Sequence, residues 1–186
     1  MWFGRFLCRK GYGVQSPLAY RFIRSVVAES WPYYAYDELR KNVKCRSKAE
    51  RRKCEFYLRL SNYLQPSLWL DSPFCEDASR EYIAAGCRRV KFESLSTSDF
   101  ADQMAQAGVI RFFSQHDPMS AYQSVLPFMA FDSVLIVEDL QTDKTMSGFW
   151  KEIAGSDAVT LSFDLDQLGI AFYMKRSQKQ HYELFL

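Results

Sequence analysis

The sequence predicts an α/β fold: a mostly parallel sheet, preceded by a helical extension and finished by an antiparallel hairpin. Three observations predict it. From Pro66 onward short apolar runs alternate with amphipathic helical segments, the pattern of parallel strands joined by crossover helices. Ser133-Val134-Leu135-Ile136-Val137 is almost uniformly apolar, as a strand covered on both faces reads. Near the C-terminus two strand-like runs are separated by Leu168-Gly169, which leaves no room for a crossover helix and forces an antiparallel return.

The elements follow in order. Ser16 caps a helix with Pro17 at its first position, and Leu18, Phe22, Ile23, Val26 and Val27 fall on one face. Trp31-Pro32-Tyr33-Tyr34-Ala35-Tyr36 breaks it. A second helical region runs through a basic segment to Leu64, with Cys54, Tyr57, Leu58, Ser61 and Leu64 at helical spacing and Pro66 as the stop. Beyond it come a strand at Leu68 to Asp71, a helix opening with Glu76-Asp77, and a strand at Val90-Lys91-Phe92. A helix from about Ser98 carries Phe100, Met104 and Ala107 and closes at Gly108, before a strand from Val109 to Phe113. Asp117-Pro118 opens a helix bearing Tyr122, Val125, Leu126 and Met129, kinked at Pro127. After the strand through Val134 to Val137, a helix carries Met146, Phe149, Trp150 and Ile153. In the terminal hairpin Val159, Leu161 and Phe163 alternate with polar residues, Ile170 to Met174 returns on the sheet edge, and His181 to Phe185 adds a last strand. Residues 1–65 thus read as a helical extension and 66–186 as an α/β core, together one compact unit.

Length and composition narrow the function. At 186 residues and 48% hydrophobic, the chain suits one well-buried core. No window nears the roughly 20 apolar residues of a membrane span, and the N-terminus lacks a signal-peptide pattern. Five cysteines, at 8, 45, 54, 75 and 87, never form CxxC, which argues against a disulfide framework or zinc knuckle and fits a reducing compartment. With only His116 and His181, and no HExxH, GxSxG or Walker pattern, metallohydrolase, serine hydrolase and P-loop readings fall. Gly11-Tyr12-Gly13 follows no strand and cradles no nucleotide in the standard way. The expectation is a soluble cytoplasmic protein without a metal.

Charge is two-ended. Residues 1–60 hold 14 basic against 5 acidic side chains, whereas 61–186 hold 10 against 17. The densest run carries Arg40, Lys41, Lys44, Arg46, Lys48, Arg51, Arg52 and Lys53, with only Glu50 against them. Such a run can meet phosphate or an anionic surface. The preferred reading is a solvated helix face set against the acidic remainder of the chain, because no base-stacking aromatics are interleaved within it.

Two end motifs bring a family into view. Gly13-Val14-Gln15-Ser16-Pro17-Leu18 with Tyr33-Tyr34-Ala35-Tyr36-Asp37-Glu38-Leu39, and Asp164 to Ile170 with Lys179-Gln180-His181-Tyr182, resemble the terminal signatures of a bacterial group of class I S-adenosylmethionine-dependent methyltransferases. In that group a helical extension precedes the methyltransferase core. The resemblance covers nearly the whole chain and implies a Rossmann-like sheet with a C-terminal antiparallel hairpin. It also implies where cofactor contacts fall: Leu70, with Asp71 as a displaced substitute, at the acid ending the first strand; Ser72 and Glu76 at two glycines of the turn; Glu93 either at the ribose acid or at the end of the following strand with that acid deleted; Ser114 at a further acid; and Glu138 with Asp139 at an acidic pair.

This chain departs from the pattern at most of those positions. Side chains replace hydrogen at Ser72 and Glu76, where the backbone must approach the cofactor. Ser114 replaces an acid. Only sixteen positions separate Glu93 from Val109, so one βα unit is shortened and the absent strand is either the second or the third of the family. Glu138-Asp139 remains, at a strand end where ligands of open α/β sheets sit; its structural reading is a cap for the next helix or a salt bridge with Lys144. His116 reads as a loop residue and His181 as structural. The resulting expectation is a degenerate methyltransferase-like protein that has lost S-adenosylmethionine and methyl transfer. Its alternatives are an active methyltransferase with a pocket rebuilt on Asp71, Glu93 and Glu138, and a module that binds nucleic acid or an anionic surface through residues 40–53.

Overall fold

A computed structural model describes residues 13–72, 77–95, 100–174 and 178–186. The chain forms two compact units, one of Met1–Pro66, Glu76–Val90 and Leu186, the other of Ser67–Cys75 and Lys91–Phe185.

In the first unit, helix α1 (Pro17–Phe22) is capped by Ser16, whose Oγ accepts from the Ala19 amide at 3.3 Å, and passes into a π-turn at Ile23–Val27. Helices α2 (Ala35–Asn42), α3 (Lys48–Leu64) and α4 (Ser79–Gly86) complete it, α4 belonging here although it follows the first strand in sequence. The basic segment is therefore split between two helices and a linker rather than lying on one. The reason is a cap: Ser47 Oγ accepts from the Glu50 amide at 3.0 Å, while the Glu50 carboxylate accepts from the Arg46 amide. Both bonds satisfy amides at the start of α3, as in a capping box. Tyr36, Leu39, Cys54, Leu58 and Tyr82 form the core of this unit. Buried Arg59 links its segments, donating from Nε to the Val26 carbonyl at 2.7 Å and from Nη1 to Tyr36 Oη at 3.1 Å. A Cβ on Gly86 would lie 2.3 Å from the Leu58 carbonyl oxygen, so α3 and α4 approach too closely for any other residue there.

The second unit is a seven-stranded sheet. Its elements are β1 (Leu68–Ser72), β2 (Lys91–Ser94), α5 (Phe100–Gln106), β3 (Ala107–Phe112), α6 (Pro118–Val125), β4 (Val134–Val137), α7 (Lys144–Gly155), β5 (Leu161–Asp164), β6 (Gly169–Phe172) and β7 (Gln180–Glu183). The strand order is β2-β1-β3-β4-β6-β5-β7. The first four are mutually parallel, β6 is antiparallel to both β4 and β5, and β7 runs parallel to β5. This is a Rossmann-like α/β sheet with a C-terminal antiparallel hairpin. The hairpin is not its edge, however, because β7 pairs outside β5. At the other edge β2 pairs directly with β1.

Three local expectations shift. The α5 helix gives way directly to β3 at Ala107, leaving Gly108 inside the strand rather than closing a helix. Pro127 turns the end of α6 into a 3-10 turn at Leu126–Phe128. Glu76 lies outside the described residues, and α4 starts at Ser79, whose amide donates to Asp77 Oδ1 at 3.0 Å.

Alternation along the strands divides the sheet into two faces. Leu70, Ile110, Phe112, Leu135, Val137 and Ala171 pack with Tyr122 and Val125 of α6 and Met146, Phe149, Trp150 and Ile153 of α7. Gly169 sits under Trp150: a Cβ there would be 2.3 Å from the indole. The opposite face receives the alternate residues, among them Trp69, Asp71, Arg111 and Ile136.

Candidate functional site

Asp71 of β1 and Arg111 of β3 are register partners in adjacent parallel strands, near their carboxyl ends. Two bonds join them: Arg111 Nε donates to Asp71 Oδ1 at 2.9 Å and Nη2 donates to Oδ2 at 3.1 Å. Glu138, just past β4, places Oε1 at 3.9 Å from Arg111 Nη1. Side-chain exposure is 0% for Asp71 and Arg111 and 1% for Glu138. Trp69 Nε1 donates to Asp71 Oδ1 at 3.2 Å. The guanidinium lies 4.3 Å from the centre of the Phe113 ring and 5.6 Å from that of Trp69. A planar cation with a forked donor edge and two apolar faces suits such a place, since the fork satisfies a carboxylate and the faces accept aromatic rings. Burying ions is costly unless each is paired, so this cluster persists as a set.

A second cluster gathers the loops after β3 and β4. The Ser114 amide donates to Asp139 Oδ2 at 3.3 Å, and Ser114 Oγ donates to the Asp143 carboxylate. Asp143 caps α7 by accepting from the Thr145 amide at 2.8 Å and the Met146 amide at 3.3 Å. The Ser114 bond, helped by these amides, holds the Asp143 carboxyl below the usual aspartate range. Asp139 takes a left-handed backbone, φ 63°, which lets its carbonyl accept from the Thr142 and Asp143 amides at 3.1 and 2.9 Å. Glu138 therefore pairs with Arg111 and not with Lys144, and the cap of the next helix is Asp143 and not the acidic pair.

The remaining candidate positions join neither cluster. Ser72 is buried, its Oγ 3.4 Å from Gln115 Oε1, and its carbonyl accepts from the Phe113 amide. Glu93 lies on exposed β2 beside Leu70 and accepts from Gln103 Nε2 at 3.0 Å. Glu76, with Pro73 and Phe74, lies outside the described residues. His116 is exposed in the loop before α6, and His181 Nδ1 is 2.8 Å from Ser162 Oγ on the neighbouring strand. Among the described residues no group of three or more His, Cys, Asp or Glu side chains is arranged to hold a metal ion.

Arg111 and Trp69 escaped the reading of the sequence. The signal was present, since an arginine at the centre of Val109-Ile110-Arg111-Phe112 needs a buried anionic partner if that strand is covered on both faces.

Asp71 and Glu138 are enclosed around Arg111 and present no accessible carboxylate at these strand ends. Among the described residues Gln115 Nε2 is buried at the strand ends without a hydrogen-bond partner.

No family model matches this chain, and no curated protein matches it by sequence. Among solved structures, cofactor-bound Rv0187 from MTB is similar with a TM-score of 0.51 and 11% identity, covering 92% of this chain and 95% of that one. The MycE methyltransferase of the mycinamycin biosynthetic pathway, solved with Mg and SAH, is similar with a TM-score of 0.47 and 10% identity; 93% of this chain covers 56% of that one. Sheet order, hairpin and the likeness to Rv0187 together define a Rossmann-like α/β fold. No helix among the described residues is long and apolar enough to cross a membrane.

Proposed function

We propose that this chain is a degenerate, cytoplasmic, methyltransferase-like protein of bacterial type that neither holds S-adenosylmethionine nor transfers its methyl group. The observation that carries the reading is the two-bond Asp71–Arg111 pair with both side chains at 0% exposure. In methyl transfer the sulfonium donor supplies the driving force, and the protein's work is to hold donor and acceptor in line. Holding requires carboxylates free to meet the donor's ammonium and ribose hydroxyls. Freeing Asp71 would break a buried pair and leave the Arg111 charge buried, a loss of about 3–5 kcal/mol. The other acids are engaged as well, Asp139 by the Ser114 amide and Glu93 by Gln103. Bacterial type rests on the two end motifs. The free thiols of Cys45, Cys54 and Cys87 support a reducing compartment.

Thermal unfolding with added S-adenosylmethionine or its demethylated product tests this reading. A ligand at a hundredfold excess over its Kd stabilises by about 2.7 kcal/mol, so tight binding would raise Tm by several degrees. The expected shift is none. A clear rise would favour the alternative, an active enzyme with a pocket rebuilt around Asp71, Glu93 and Glu138.

A further inference from the structure

We propose that the helical unit carries a second site, a binding surface for single-stranded nucleic acid built from the cations of α3 and the aromatic loop before α2. The sequence argued against such a surface because no aromatic residue interrupts the basic run. The fold brings the aromatics in from outside that run.

Four observations define the surface. A concavity of about 360 Å³ is lined by Arg40, Lys48, Arg51, Arg52 and Glu55. Glu55 is committed to Arg40, with Oε1 at 2.7 Å from Nη2 and 2.8 Å from Nε, while among the described residues Lys48, Arg51 and Arg52 have no carboxylate partner. Arg52 also lines a second concavity of about 230 Å³ with Val27 to Ser30, and Glu29 of that segment accepts from the Trp31 amide at 2.8 Å. On the other side Arg40 lies over the Tyr36 ring at 5.2 Å, and Tyr36 is 5.4 Å from Tyr33. The cationic concavity is thus flanked on both sides by the segment that holds Trp31 and Tyr34. Trp31 is 76% exposed and Tyr34 is fully exposed. Neither ring is used by the core.

Exposed flat rings on a segment that borders guanidinium groups are what an unpaired strand requires. Bases stack on the rings, and phosphates take forked hydrogen bonds from arginine. An anionic bilayer would engage the same cations, but exposed Asp37 and Glu38 lie three and four residues after Tyr34, and Glu29 lies two before Trp31. A plane of negative charge would meet those acids together with the rings, whereas a strand can thread between them. A duplex keeps its base faces stacked inside and leaves Trp31 and Tyr34 without a partner.

The test is fluorescence anisotropy of a short labelled oligothymidylate and the matching oligouridylate with the full chain, over a range of salt. The expected result is micromolar binding whose log affinity falls with log salt at a slope of about −2, as for three phosphates on a single strand. Arg51→Glu with Arg52→Glu should weaken it at least about tenfold and flatten the slope. Trp31→Ala with Tyr34→Ala should weaken it about fivefold or more and leave the slope unchanged. Binding should also quench tryptophan emission in the unmutated chain, and Trp31→Phe should remove that quenching, a reading independent of how the double variants fold. No binding at low salt overturns the proposal. So do full affinity after loss of both rings, equal affinity for a duplex of the same length, and capture by phosphatidylcholine–phosphatidylserine vesicles without capture of either oligonucleotide.

Discussion

Arg111 and Asp71 stand side by side on neighbouring parallel strands, joined by two hydrogen bonds of 2.9 and 3.1 Å and both sealed from solvent. An ion pair so placed ties β1 to β3 through side chains as well as backbone. It also fills the strand ends with the protein's own charges, where an open α/β sheet ordinarily receives a ligand.

Arg111→Met should expose this dependence. It leaves Asp71 and Glu138 buried without their cation, and the expected loss is about 3–5 kcal/mol in urea unfolding. Combining it with Asp71→Leu and Glu138→Leu should recover much of that loss, because well-packed apolar side chains replace buried ions at little cost.

Asp143 offers a pH reading. Its folded-state carboxyl sits below the usual aspartate range, first because Ser114 donates to it. A depressed folded pKa contributes stability that is present above the unfolded pKa and lost as pH falls through the folded one. Ser114→Ala should therefore move the Asp143 titration upward in a carboxyl NMR experiment. The variant and its parent should differ in stability near neutral pH and converge once the carboxylate is protonated in both.

Gly169→Ala should destabilise the hairpin. Its Cβ would lie 2.3 Å from the Trp150 indole, and overpacking of this kind costs about 1–3 kcal/mol. Trp150→Leu in the same chain should recover part of the Tm lost to the alanine.

Thiol chemistry should separate the three described cysteines. Cys54 and Cys87 are buried, and burial, with Cys45 bonded beside it, pushes the Cys54 thiol up so that it stays protonated. Brief alkylation of the native protein, mapped by mass spectrometry, should modify half-buried Cys45 before either of them.

Much of the fold was legible because strands and helices announce themselves by period. Leu161 and Phe163 alternate with polar residues, Met146, Phe149, Trp150 and Ile153 recur at helical spacing, and Ser16 and Asp117 cap the helices that they precede. The break at Val43 to Ser47 was missed although Ser47 and Glu50 stand at capping-box spacing, because the helical spacing around Cys54 masks a start only two turns earlier. The site was legible only in part. Asp71 and Glu138 could be singled out as carboxylates at strand ends, but the cation that joins them lies forty residues from one and twenty-seven from the other. Register, which only the assembled sheet fixes, decides that they meet. The aromatic loop shows the same gap: its residues lie outside the basic run, and only the fold sets the Tyr36 ring under Arg40.

We propose that the buried Asp71–Arg111 pair leaves S-adenosylmethionine no carboxylate to bind at these strand ends. Isothermal titration calorimetry with S-adenosylmethionine and its demethylated product tests it most directly. The expected result is no saturable heat up to about 1 mM of either compound, a ceiling of about −4 kcal/mol on any binding free energy. Micromolar affinity for either one would contradict it.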